Sequence, residues 1–315
     1  NEGNPCFGLQ PLEAFYKEKK ILVEWMDPSI QILSEKETTK YDAILLNSPR
    51  LTKESINPKN NKVKIVSRFG VGYDSVDLDV LKKNKIILTN TPNAVRRPVA
   101  VASLTMILSL SGKLMIKDNL VREGRWNERT SHMGVGLINK TLGIIGFGGI
   151  GREFVKISKA LFKKVICYDP FVGKEEMKNL QVEKVDFDEI ANSSDFLVIL
   201  CDLNEKTKGM IDSNFLNKMK SSSYLINLSR GPVVNENDLI ASLRQNKIAG
   251  AGLDVMTNEP IEKNNELLNF KNTILTPHSL CWTDECFDSI ATEAISSILN
   301  YFHNKKISSY SIGNL

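Results

Sequence analysis

The chain has 315 residues, 42% of them hydrophobic and 25% charged, the balance of an ordinary globular protein with room for two domains of about 100–200 residues each. Its 41 basic and 37 acidic residues leave a net charge of +4, and no Lys/Arg block gathers it into a stripe, so no nucleic-acid partner is expected. No uninterrupted apolar run approaches the ~18 residues of a bilayer span, so no membrane partner is expected either.

The first residues, "NEGNPCFGLQPLEAF", lack the basic start and apolar middle of a signal peptide, and they open on Asn1, as a chain trimmed ahead of its first strand would. The five cysteines, Cys6, Cys167, Cys201, Cys281 and Cys286, are scattered, odd in number and without a C-x-x-C pair. That usage predicts reduced thiols and a cytoplasmic protein, with the cysteines acting as small apolar filler.

Three β-branched runs come first: "YDAILLN" (41–47), "VKIVSRF" (63–69) and "KIILTNT" (85–91), each ending at a turn signal. Between the last two, "DSVDLDVLKKN" carries apolar residues at helical spacing, so the segment reads as an α/β unit. A long helix is predicted from about Pro98 to Leu114, with Pro98 in its first turn, where a missing N–H costs no hydrogen bond.

From residue 141 six strands are predicted: "LGIIGF", "KVICYD", "FLVILC", "SYLINLS", "IAGAGLDV" and "TILTP". Helical patterns separate most of them, which is the rhythm of a doubly wound parallel sheet. The last stretch, "TDECFDSIATEAISSILNYFHNKK", is one amphipathic helix and is expected to pack back on the N-terminal part. One domain would then comprise residues 1–93 with 285–315, and the second, 94–284, would be inserted into it.

The stretch "TLGIIGFGGIGREF" (141–154) places G-x-G-x-x-G between a strand and a helix, which is far more specific than the glycines alone. Gly146 permits the tight turn, Gly148 the approach of a pyrophosphate, and Gly151 close helix–strand packing. Free N–H groups at the helix start, around Gly149 and Ile150, suit phosphate oxygens. Asp169 ends the next strand, 18 residues after Gly151. It can accept ribose hydroxyls and would repel a 2′-phosphate, so NAD is favoured over NADP.

Ligands in such sheets bind beyond the carboxyl ends of the strands. There lie Arg230 in "INLSRGP", Glu259 in "LDVMTNEP" and His278 in "ILTPHS", one of only three histidines. Arg230 can grip a carboxylate with two N–H groups, His278 can exchange a proton, and Glu259 can favour its imidazolium form. Asp254 is placed to hold a nicotinamide carboxamide, and Cys201, Leu228 and Ser229 fall on the same edge as further cofactor contacts. No metal is expected.

In combination, "GVGYDSVDL", "TPNAVRRPVA", "GRW", "NKTLGIIGFGGIG", "MKSSSYLINLSRGPVV", "GAGLDVMTNEP" and "TPH" resemble the D-isomer-specific 2-hydroxyacid dehydrogenase family over essentially the whole length. The resemblance implies a Rossmann-type domain inserted into a flavodoxin-like α/β substrate domain, and hydride exchange between NAD(H) and a small 2-oxo or 2-hydroxy acid, of the glyoxylate or hydroxypyruvate reductase type. Arg230 would bind substrate carboxylate and carbonyl, His278 would serve as acid/base with Glu259 as its partner, and the N–H groups of Val71 and Gly72 would hold the substrate carboxylate. Closure of the two domains would exclude water. The segment 98–114 with "VREGRWNERTSHMGVGL" would embrace a second subunit, giving a homodimer.

Departures from the family pattern are Leu280 and Trp282 in "HSLCWT", Val101 in "VAV", and Leu200 and Asp202 in "LCDLNEKT"; none removes a catalytic group. Arg50 in "LNSPR" lies on a substrate-side loop and can read an anionic tail or solvate as plain surface. Two rival readings remain on the same fold: an NAD-sensing corepressor-like binding protein, whose disordered tails are absent here, and a formate or phosphite dehydrogenase, which Glu259 in place of Gln opposes.

Overall fold

The structure, a computed structural model, describes residues 22–307; Cys6 and the opening segment lie outside the described residues. Two compact units divide at Val95/Arg96 and at Cys281/Trp282.

In the discontinuous unit, β1 (Ala43–Leu46), β2 (Ile65–Arg68) and β3 (Ile87–Thr89) form a parallel sheet in the order β1-β2-β3. Helix Leu78–Lys83 connects β2 to β3, its start fixed by the Asp77 carboxylate accepting from the Val80 N–H at 3.2 Å. Ile44, Leu46, Val66, Leu81 and Leu88 are buried around the sheet, so the β-branched runs form the core that their pattern implies. Helix Asp284–Phe302 packs on this sheet. Ser67 Oγ donates to the Ala294 carbonyl at 3.0 Å, and the Phe287 and Phe69 rings meet at 5.4 Å.

The other unit carries seven parallel strands in the order β10-β9-β8-β7-β4-β5-β6. They are β4 (Thr141–Ile145), β5 (Lys164–Tyr168), β6 (Glu183–Lys184), β7 (Phe196–Ile199), β8 (Tyr224–Asn227), β9 (Gly250–Leu253) and β10 (Thr273–Leu275). Six of them follow the predicted runs, while β6 is two residues long and has no periodicity to read. The central strands are buried on both faces, as β7 and β8 show along their full length, so their sequences are continuous apolar runs rather than alternating ones.

The long helix differs from the expectation. It spans Pro92–Gly112, and Pro98 lies inside it. Pro92 takes the helix-opening position expected of Pro98, which costs the helix the bond its missing N–H would give Ala94. The helix is also long and apolar enough to cross a membrane by length and composition, which corrects the count made on uninterrupted runs: its Ser and Thr residues break a run without making the helix polar. Ala100, Met106, Ile107 and Leu110 on its inner face are buried in the core of this unit. Met106 and Leu110 fill the space left by the missing side chain of Gly252 on β9.

Candidate active site

The last residues of six strands are register partners in one rank: Tyr168 with Ile145, Ile145 with Ile199, Ile199 with Asn227, Asn227 with Leu253 and Leu253 with Leu275. All the strands are parallel, so the segments that follow them emerge on one edge. The glycine turn follows β4, Asp169 follows β5, Cys201 follows β7, Leu228 to Arg230 follow β8, Asp254 to Glu259 follow β9, and His278 follows β10.

Gly146 holds φ +100°, and a Cβ there would meet Cys201 N at 2.7 Å, so no larger residue fits. Gly148 and Gly149 are exposed, Ile150 is half-buried and Gly151 is buried, where a side chain would overlap the Gly146 carbonyl. Helix Gly149–Ser158 starts without a side-chain cap, and a Cβ on Gly148 would meet nothing within 4 Å. An uncapped helix start facing open space fits a pyrophosphate. Arg96 lies beside it, its Nε 2.5 Å from where a Gly149 Cβ would stand. The Asp169 carboxylate accepts from Phe147 N at 2.7 Å and from Phe171 N at 2.8 Å, which fixes both oxygens beside the turn and leaves further lone pairs for ribose hydroxyls. Cys201 is half-buried, and burial pushes its thiol up to about 12, so it contributes backbone and bulk rather than a thiolate.

The chemical set stands on three adjacent strands. His278 Nδ1 lies 2.8 Å from Glu259 Oε2, and Glu259 Oε1 accepts from the Met256 N–H at 2.9 Å. Burial pushes the Glu259 carboxyl up, but the His278 and Met256 hydrogen bonds and the positive charges of His278 and Arg230 outweigh it and hold the group below its ordinary value. Arg230 is half-buried, and its Nη1 donates to the Ser229 carbonyl at 2.8 Å. Gly231 lets its loop touch the one that carries Glu259, because any Cβ there would overlap the Met256 carbonyl.

Two buried residues hold these loops. Asn227 donates from Nδ2 to the Arg230 carbonyl at 3.0 Å and accepts from Ser229 N and Oγ at 3.0 and 2.8 Å, which shapes the turn around Leu228 and Ser229. Sequence reasoning passed over it, although an Asn closing an apolar strand is a readable signal. Asp254 is 4% exposed, and its Oδ1 accepts from Thr276 Oγ1 at 2.6 Å and from the N–H groups of Ser279 and Leu280, each at 3.1 Å. It therefore ties down the loop on which His278 sits. Burial raises its carboxyl above the ordinary range, and those hydrogen bonds offset only part of the rise.

The departures find places. Leu280 packs on the core of its unit, and Leu200 does the same. Trp282 belongs to the other unit, where it meets Phe287 edge-on at 5.1 Å and stays half exposed. Val71 and Gly72 also belong to that unit, on the loop after β2. Gly70 N donates to Thr91 Oγ1 at 3.1 Å and Asn90 Nδ2 donates to the Val71 carbonyl at 2.8 Å, which anchors the loop to the end of β3.

Residues 104–279 match the family described as "D-isomer specific 2-hydroxyacid dehydrogenase, NAD binding domain". Over 306 residues the chain is 33% identical to the glyoxylate reductase of Thermococcus litoralis, covering 94% of this chain and 91% of that one. The chain spans about half the length of curated D-3-phosphoglycerate dehydrogenases it matches. Among solved structures, an acyclic imino acid reductase in complex with NADPH and D-Arg superposes with a TM-score of 0.86 at 26% identity, over 98% of this chain and 96% of that one. The D-lactate dehydrogenase of Aquifex aeolicus, complexed with NAD and lactic acid, gives 0.84 at 27%, over 95% and 94%. With the glycine turn, its acidic partner and the Arg–Glu–His set on one sheet edge, and with these matches over most of its length, the chain belongs to the D-isomer specific 2-hydroxyacid dehydrogenase family.

Proposed function

We propose that the chain is an NAD(H)-dependent oxidoreductase acting on a small 2-oxo/2-hydroxy acid pair. The observation that carries this reading is the 2.8 Å contact between His278 Nδ1 and Glu259 Oε2 at the carboxyl edge of the sheet that bears the glycine turn. The helix start at Gly149 and the Asp169 carboxylate would hold the pyrophosphate and ribose, with Arg96 beside the phosphates and Cys201, Leu228, Ser229 and Asp254 along the same edge. When bound, NADH supplies the hydride that reduces the 2-carbon.

Glu259 engages Nδ1, so Nε2 is the nitrogen of His278 that faces substrate, and its proton passes to the oxygen that becomes the 2-hydroxyl. In the oxidative direction neutral Nε2 takes that proton back. Arg230 binds the substrate carboxylate and polarises the adjacent carbonyl through its planar fork of donors.

Asp169 sets the cofactor. A 2′-phosphate beside its carboxylate meets a repulsion on the order of 1–3 kcal/mol in a site of intermediate dielectric. The test is oxidation of NADH and of NADPH over a panel of 2-oxo acids headed by glyoxylate and hydroxypyruvate. Turnover with at least one acid is expected, with kcat/KM for NADH at least about tenfold above NADPH. No turnover on any acid, with NADH still bound, would instead favour the NAD-sensor reading.

We further propose that the chain works as a homodimer, formed by the apolar outer face of helix Pro92–Gly112 and the segment that follows it.

A further inference from the structure

Asp169 is not the only charge fixed beside the glycine turn. Arg152, the fourth residue of helix Gly149–Ser158, donates from Nε to the Phe147 carbonyl at 3.0 Å and lies over the Phe147 ring, 5.2 Å from its centroid. Its Nη1 donates to the Glu176 carboxylate. Glu176 sits on helix Lys174–Lys178, in the segment that follows β5 and Asp169. Phe147 therefore carries a carboxylate on its N–H, from Asp169, and a guanidinium on its C=O, from Arg152. The two charges that bear on a ribose phosphate are anchored to one residue of the turn.

A guanidinium in that position has the donor geometry that a phosphate monoester prefers. Glu176 already occupies it. Two of the three Arg152 contacts, the Phe147 carbonyl and ring, are independent of Glu176, so without Glu176 the arginine stays at the turn while its outer nitrogen becomes available.

We propose that Glu176 is a second determinant of cofactor choice: by pairing with Arg152 beside the glycine turn it withholds that guanidinium from the 2′-phosphate of NADP. Asp169 repels the phosphate and Glu176 removes its counter-charge, so the two barriers are separate. The inference rests on the NAD-over-NADP reading above. The pair is partly exposed, at 32% for Arg152 and 52% for Glu176, so it contributes little to folding and can be altered without unfolding the chain.

The experiment is a fluorescence titration of NADH and NADPH, without substrate, into wild type, Glu176→Gln, Arg152→Ala and the double variant. Glu176→Gln is expected to tighten NADPH about five- to tenfold, the scale of one charge-assisted contact, and to leave NADH within about twofold. That gain should shrink as salt rises, because the released guanidinium is near solvent. It should vanish in the double variant, where no cation remains to be released. Unmoved NADPH affinity in Glu176→Gln, an equal change in both cofactors, or a gain that survives the loss of Arg152 overturns the inference while the NADH preference stands. Wild type that binds NADPH as tightly as NADH overturns the cofactor reading and this inference with it.

Discussion

His278 takes a conformation that few side chains adopt unaided. Its φ is +52°, in the left-handed region, and its N–H donates to the Thr276 carbonyl at 3.0 Å. Such backbone costs on the order of 1 kcal/mol or more and persists only where the surroundings impose it. Glu259 then fixes the ring. Its carboxyl is held below the ordinary 4.5, so its ionised form is favoured above that value, and its contribution to stability is lost only as pH falls through the depressed pKa. Glu259 is therefore an anion beside His278 throughout the neutral range. His278→Ala should cut turnover by roughly 10²–10⁴-fold, the usual worth of a positioned acid/base, and leave NADH affinity nearly unchanged in a direct titration. Glu259→Gln keeps the size and removes the charge that favours imidazolium. Its reductive pH–rate profile should fall off at lower pH than that of wild type. Near-normal turnover in His278→Ala would remove the proposed proton donor.

At the scale of elements, legibility followed distance along the chain. The strands of both sheets, the glycine turn and the closing helix were readable because each announces itself within a few residues. The start of the long helix was not, since two prolines compete for its first turn and the inner one, Pro98, looks equally suitable. The ties that hold the loop bearing His278 were hidden for another reason. Asp254 reaches Thr276, Ser279 and Leu280 from the end of a different strand, and no local pattern encodes that meeting. Asp254→Ala would leave the Thr276 hydroxyl and two N–H groups without their acceptor, which should cost about 1–3 kcal/mol in denaturant unfolding and lower kcat more than NADH affinity. Asp254→Asn restores an acceptor oxygen and should recover much of that loss. The sign with pH is set by burial, which raises the Asp254 carboxyl. The wild-type contribution is fully present below the ordinary 3.8 and is lost as pH rises through the raised pKa. The Tm of Asp254→Asn relative to wild type should therefore climb across the acid range above pH 3.8 and then level off.

For the molecule as a whole, the decisive surface is the outer face of helix Pro92–Gly112 and of the chain beyond it. Val101, Thr105 and Leu108 form an exposed stripe at helical spacing, opposite the buried Met106, Ile107 and Leu110. The next segment adds Leu114 at 56% exposure, Met115 at 52%, Val121 at 60%, Trp126 at 61% and Met133 at 74%. Large apolar side chains gathered on one stretch of surface mark an interaction site more often than plain solvent-facing skin. Each one buried on association contributes about 1.5–3 kcal/mol before the cost of bringing two chains together. The partner that fits such a stripe is a second copy, because a two-fold axis lets the same stripe face itself and close the assembly. The buried residues of this helix contribute to its overall apolarity as well, and they are already packed in the core of their unit. Sedimentation at micromolar concentration should give twice the chain mass of 35.3 kDa. Leu108→Asp combined with Val121→Asp should shift the mass to the monomer, since two buried charges would face their own copies across the axis. Both substituted side chains are exposed in the single chain, so its core is left intact and the variant should still bind NADH. A monomer mass for wild type would refute the dimer outright.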